Sequence, residues 1–127
     1  MGGSIGRMSG RVVMTSLNRE PLVGLDALVD GVPVEVETRL GGEDAESLVV
    51  CRDGDRVRAW LNVCPHAGRR LDWAPGQFLK SREGYLVCAA HGAAFELQDG
   101  TCVGGPCRGD RLRAVPLDVR DGQVWLA

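Results

Sequence analysis

Two short segments, Cys64-Pro65-His66 and Cys88-Ala89-Ala90-His91, contain both histidines of the chain and two of its five cysteines. Residues of these types, one or two positions apart, let a single loop present two side chains to one metal centre. Two such loops, with Ala67 to Val87 between them, can pinch a site from opposite sides. Any fold of this chain must then bring both loops to one place. An odd cysteine count with no export signal points to a reducing compartment, here the cytoplasm, where Cys and His more often bind metal than pair as disulfides.

The frame that carries these loops reads as strands. Glycine is abundant, with 18 residues, aromatics make up 5%, and Asp-Gly pairs recur, a composition that favours short strands joined by tight turns. Leu48 to Arg52, Asp53-Gly54 and Val57 to Leu61 predict one hairpin. Leu117 to Arg120, Asp121-Gly122 and Gln123 to Leu126 predict a second. Val32, Val34 and Val36 alternate as a half-buried strand over residues 32–37 should. Tyr85 to Cys88 and Ala94 to Leu97 are shorter strand candidates flanking His91. Pro21 and Gly24 oppose a long helix near the start and leave one helical turn around Leu25 to Leu28.

The expected fold is a single all-β domain over residues 1–127, mostly antiparallel, with a loop-rich segment at about 61–106 inserted between its hairpins. Residues 1–16, rich in Gly and Ser, read as a flexible N-terminus. At 127 residues the chain can bury one real core. A net charge of −2 offers no basic excess for nucleic acid, and no apolar run is long enough to span a bilayer.

Cys-x-His followed by Cys-x-x-His fits two chemistries. A structural zinc takes four Cys and His ligands around one ion. A mixed-ligand [2Fe–2S] cluster takes two Cys on one iron and two His on the other. The surroundings favour the second. Cys64-Pro65-His66-Ala67-Gly68 and Cys88-Ala89-Ala90-His91-Gly92 resemble the two cluster-binding loops of the Rieske family. Phe95-Glu96 and Asp99-Gly100 strengthen the likeness, and Gly105-Pro106-Cys107 resembles the proline-containing third loop that covers the cluster. The likeness runs from about Val50 to Val119.

This resemblance implies a Rieske-type antiparallel β sandwich or barrel, with residues 61–106 as a cluster-binding subdomain. It further implies that Cys64 and Cys88 bind an inner iron and that His66 and His91 bind an outer, more exposed one. Two ferric ions, two sulfides and two thiolates sum to zero charge, so an added electron is better tolerated than on a four-thiolate cluster. High-potential members of the family resemble one another in a serine and a tyrosine that donate hydrogen bonds toward the cluster. Ala93 and Phe95 stand at the matching positions here and donate none. Arg69 and Ala90 stand where those members carry a disulfide. The implied potential is therefore low, roughly −150 to 0 mV.

Oxygenases of the family add a mononuclear iron on two further histidines and a carboxylate. Only two histidines exist here, and both are committed, which argues against intrinsic oxygenase activity. No Gly-x-Gly-x-x-Gly is present to bind a nicotinamide or flavin. The expected function is that of a soluble, ferredoxin-like one-electron carrier, or a small subunit of a reductase or oxygenase system. Its partners would be an electron-donating reductase and an acceptor enzyme. A Cys2His2 zinc module and a cluster-based redox sensor are the alternatives.

Other residues read two ways. Cys102 and Cys107 bracket Val103-Gly104-Gly105-Pro106. In a reducing cell they read as small residues packed under a loop, and a disulfide or redox-active thiol pair across the turn is the alternative. Arg69, Arg70, Lys80 and Arg82 form either a positive rim for an acidic partner or a solvated loop in which Asp72 and Glu83 partly cancel them. Trp73 is expected to shield the cluster or fill the small core. Cys51, Trp60 and Trp125 are expected core residues. Gly68 and Gly92 should permit tight turns after the ligands.

Overall fold

The computed structural model describes residues 20–65, 68–90, 92–107 and 109–127. The expected flexible segment 1–16, together with His66 and His91, lies outside the described residues. All-β architecture holds: among the described residues eleven strands form three sheets, every strand pair is antiparallel, and the helical content is one 3-10 turn at Leu25–Ala27. No helix among the described residues is long and apolar enough to cross a membrane.

Strands β2 (Val34–Thr38), β3 (Glu46–Asp53), β4 (Arg56–Leu61) and β9 (Ala114–Val115) build the largest sheet in the order β2-β3-β4-β9. Strands β1 (Val23–Gly24), β11 (Gln123–Leu126) and β10 (Leu117–Arg120) form a second sheet in that order. The third lies within the expected insert and runs β5 (Leu79–Lys80), β6 (Leu86–Val87), β7 (Ala94–Phe95) and β8 (Cys102–Gly104).

Both expected hairpins are present. The β10–β11 turn is Asp121-Gly122, with both residues at positive φ (53° and 72°), the geometry whose twist matches the flanking strands. The β3–β4 turn sits one residue later than expected. Asp53 pairs with Arg56, so the ladder extends through Asp53 and the loop is Gly54-Asp55.

Strand β3 separates two cores. Val49 and Cys51 face one, which also holds Trp60, Cys64, Leu71, Leu86, Cys88, Phe95, Cys102 and Cys107. Leu48 and Val50 face the other, with Ala59, Leu28 and Val124. Both faces being covered explains the unbroken apolar run Leu48–Cys51, which a one-sided strand would not need. Burying both faces also removes the apolar area of four side chains from water, the main driving term for the frame.

Cys51 and Trp60 are core residues as expected, at 5% and 2% exposure. Trp125 is not. Val124 takes the inward position on β11, so period-two alternation turns Trp125 to the other face, half-buried. There its ring lies 4.8 Å from the Arg120 guanidinium. Trp73 does not fill the small core either, since it is 62% exposed.

Candidate metal centre

Both cysteine-bearing loops close in the same way. Cys64 N–H donates to Arg69 O (2.6 Å) and Gly68 N–H donates to Cys64 O (2.8 Å). In the second loop Cys88 N–H donates to Ala93 O (2.7 Å) and Gly92 N–H donates to Cys88 O (2.9 Å). Donors and acceptors stand at the same offsets from each cysteine, so the two loops are copies of one clamp. In each, the glycine four residues after the cysteine holds a positive φ, 68° at Gly68 and 75° at Gly92. A side chain at either position would be strained, which is the local reason for Gly there.

The loops converge on one core. Cys64 is 0% exposed and Cys88 is 1% exposed, and both belong to the cluster around Phe95 and Leu71. Leu71 ties them together: it is fully buried, and its carbonyl accepts from Ala89 N–H at 3.0 Å. Two buried thiols on opposed, matching loops suit a centre that takes one thiolate from each side. The donor set implied for His66 and His91 lies outside the described residues.

Ala93 and Phe95, at the positions where hydrogen-bond donors were expected to be missing, are both fully buried. Phe95 pairs with Leu86 on one side and Cys102 on the other, which fixes the strand beneath the second loop. The third loop leans directly on that second loop. Gly105, at φ 86°, sits so close that a Cβ on it would lie 2.8 Å from Ala93 Cα and 3.2 Å from Gly92 O.

Behind Gly105 the two further cysteines meet. Cys102 and Cys107 are each 2% exposed, and Cys107 Sγ donates to Cys102 Sγ at 2.6 Å. Burial, then the contact with Cys102, pushes the Cys107 thiol up to about 12. Burial likewise pushes the Cys51 thiol up. These thiols stay protonated at neutral pH, unlike a metal-bound thiolate.

The first loop is anchored to the large sheet by a polar network that the sequence did not single out. Asn62 accepts Leu71 N–H through Oδ1 (2.9 Å) and donates through Nδ2 to Ser47 Oγ (3.1 Å) and Asp72 Oδ2 (3.2 Å). Arg70 grips Asp72 with two hydrogen bonds, 2.9 Å from Nε and 2.8 Å from Nη2. The same Nη2 reaches Glu35 Oε2 at 2.7 Å, and Ser47 Oγ donates to that oxygen at 2.6 Å. Burial pushes the Asp72 carboxyl up, but hydrogen bonds from Arg70, Gly76 N–H and Asn62 outweigh it, and the net shift is downward. Glu35 is lowered by Ser47 and then Arg70, and Arg70 itself is raised.

This network revises the expected positive rim. Arg70 is committed to two carboxylates and Lys80 donates to Gly31 O at 2.5 Å, so neither is a loose surface cation. Arg69 and Arg82 remain exposed. An open groove of about 510 Å³ runs between the ends of the two loops, lined by Arg69, Arg70, Asp72, Trp73, Ala89 and Ala90.

The family model described as "Rieske [2Fe-2S] domain" matches residues 23–117. Among solved structures, the ferredoxin of carbazole 1,9a-dioxygenase from Nocardioides aromaticivorans IC177 is 28% identical, with a TM-score of 0.63, over 85% of this chain and 95% of that one. The Sphingomonas yanoikuyae B1 ferredoxin is 24% identical (TM-score 0.59) over 84% of this chain and 95% of its own, a likeness of fold alone. A chain from the reduced complex between oxygenase and ferredoxin in carbazole 1,9a-dioxygenase has the same fold over part of its length. It is 19% identical with a TM-score of 0.68, and the match covers 84% of this chain and 27% of that one. No curated protein matches the chain.

Proposed function

This chain belongs to the Rieske [2Fe–2S] domain family, and we propose that it carries single electrons through one [2Fe–2S] cluster held by Cys64, His66, Cys88 and His91. The observation that carries this reading is the pair of matching loops, each presenting one fully buried cysteine to the same core. Such a cluster, when bound, supplies a one-electron couple that no side chain of the protein offers. Cys64 and Cys88 would take its inner side, and the histidines its outer side. The clamp around each cysteine holds the loop backbone in place, and Leu71, Phe95 and Cys107 exclude water from the inner side. Residues 61–106 are the cluster-binding subdomain in this reading.

The potential is low, roughly −150 to 0 mV, because Ala93 and Phe95 offer no donor to stabilise the reduced state. With no nicotinamide or flavin motif of its own, the chain takes electrons from a reductase. It passes them to an acceptor enzyme, and likeness to a ferredoxin of a dioxygenase supports a Rieske-type terminal oxygenase in that role. A cytoplasmic location belongs to the same proposal and is supported by the odd cysteine count. Analysis of purified protein tests the core of it. Red-brown colour with about two irons and two sulfides per chain is the expected result. Colourless protein with one zinc would overturn it, and a titrated potential well above about +100 mV would overturn the low-potential assignment.

A further inference from the structure

We propose that Cys102 and Cys107 are a disulfide-forming pair that, when oxidised, clamps the third loop onto the second metal-binding loop. Their sulfurs are already in contact at 2.6 Å, inside one buried cluster. A single residue pins both cysteines: Asp110 O accepts Cys102 N–H at 2.8 Å, and Asp110 N–H donates to Cys107 O at 2.9 Å. Cys102 is held from the other side by the β7–β8 ladder, where it pairs with Phe95. The sulfurs need approach by only about half an ångström to reach bonding distance.

The bond would close a short ring through Val103, Gly104, Gly105 and Pro106. Gly105 in that ring rests against Ala93 of the second loop. Fixing the ring at both ends keeps Gly105 seated and resists the opening through which a bound cluster would be lost. The pair is unlike Cys51, whose sulfur points to a backbone carbonyl on its own strand.

The oxidant is a small disulfide of the glutathione class. Attack is slow, because the buried Cys107 thiol stays protonated at neutral pH and must lose its proton as it meets one sulfur of glutathione disulfide, whereupon one glutathione leaves. Cys102 then displaces the second glutathione from the mixed disulfide. One S–S bond forms in the protein, one breaks in the reagent, and the two thiol protons end on two glutathiones. In a reducing cell the pair stays open, and a rise in oxidised glutathione closes it.

The test uses the full chain as purified, equilibrated without oxygen in mixtures of reduced and oxidised glutathione. Acid quenching, denaturing alkylation with N-ethylmaleimide and mass spectrometry then follow. The expected product is two hydrogens lighter before alkylation, with one Cys102–Cys107 peptide that carries no maleimide. Cys51→Ser should leave that product intact and Cys107→Ser should abolish it. Chelator-driven loss of visible absorbance should be roughly tenfold slower after oxidation than before. Maleimide on both cysteines at every glutathione ratio, or a mixed disulfide that never closes, would overturn the proposal. The mass readout on the wild-type chain decides the matter even if Cys107→Ser fails to fold. Although its consequence rests on the proposed cluster, the bond itself does not: a colourless, zinc-bearing protein that still forms it would refute the function and leave the disulfide standing.

Discussion

Gly105→Ala tests the claim that the third loop is seated against the second by close backbone approach. Two penalties combine. At φ 86° an L side chain is strained, at a cost of about 1–2 kcal/mol. The new Cβ would also meet Ala93 Cα at 2.8 Å and Gly92 O at 3.2 Å, which are backbone atoms that cannot rotate away. Relieving that overlap costs about another 1–3 kcal/mol. The sum is about 3 kcal/mol, which in a chain of this length lowers the melting temperature by roughly 10 °C. Gly84→Ala is the matched control, because Gly84 has a similar φ of 94° but nothing within 4 Å of its Cβ position. It should lose only the conformational part. Denaturant unfolding followed by far-UV circular dichroism measures both, and visible absorbance reports whether the metal centre is lost earlier. Equal losses for Gly105→Ala and Gly84→Ala would refute the close-approach argument.

Other substitutions probe the centre and its anchor. His91→Ala should abolish the native cluster, read as loss of visible absorbance and of iron per chain; full retention would remove His91 from the ligand set. Ala93→Ser should raise the potential by roughly 40 mV, the one-electron equivalent of a hydrogen bond of about 1 kcal/mol. An unchanged potential with the cluster intact would mean that position 93 does not face it. Asp72 has a lowered folded-state pKa, so its stabilisation is complete above the unfolded carboxylate value, about 4, and is lost as pH falls through the lower folded value. Asp72→Asn should therefore flatten the acid limb of the stability profile and cost about 2–3 kcal/mol at neutral pH. Urea midpoints across acidic pH check this, and an unaltered acid limb would show that the Arg70 pair contributes nothing there.

The parts legible in the sequence were those set by local chemistry. Asp121-Gly122 between alternating segments specifies its own turn, and the Val34–Val36 alternation marks β2 because one face of that strand is half-exposed. Strands β1, β5 and β9 were not legible. Each is two residues long, and Ala114–Val115 is a strand only because β4 lies beside it. The same dependence on distant partners hid the anchor. Asn62 is 1% exposed and sits at the junction of Ser47, Leu71 and Asp72, yet alone in sequence it is one polar residue before a cysteine. Trp125 misled for a related reason. A large aromatic on a strand suggests core, but pairing of Val23 and Val119 with Val124 settled which face of β11 is inward.

Strand β3 carries a consequence for how the chain reaches this structure. Apolar alternation normally guards strand register, because a one-residue slip puts charge inside. Along Leu48–Cys51 that guard is silent on β3 itself, and it comes from β4, where Arg56 and Arg58 alternate with Val57 and Ala59 and a slip would turn the arginines toward a core. The strand ends fix the pairing as well: the Gly54-Asp55 loop at one, and the bond from Asn62 N–H to Ser47 O (2.9 Å) at the other. A chain that closes this hairpin one residue out would be collapsed and mispaired, with Cys64 carried off its place opposite Cys88. The alignment of the two cysteines is thus decided in part by the register of a hairpin whose turn is remote from both.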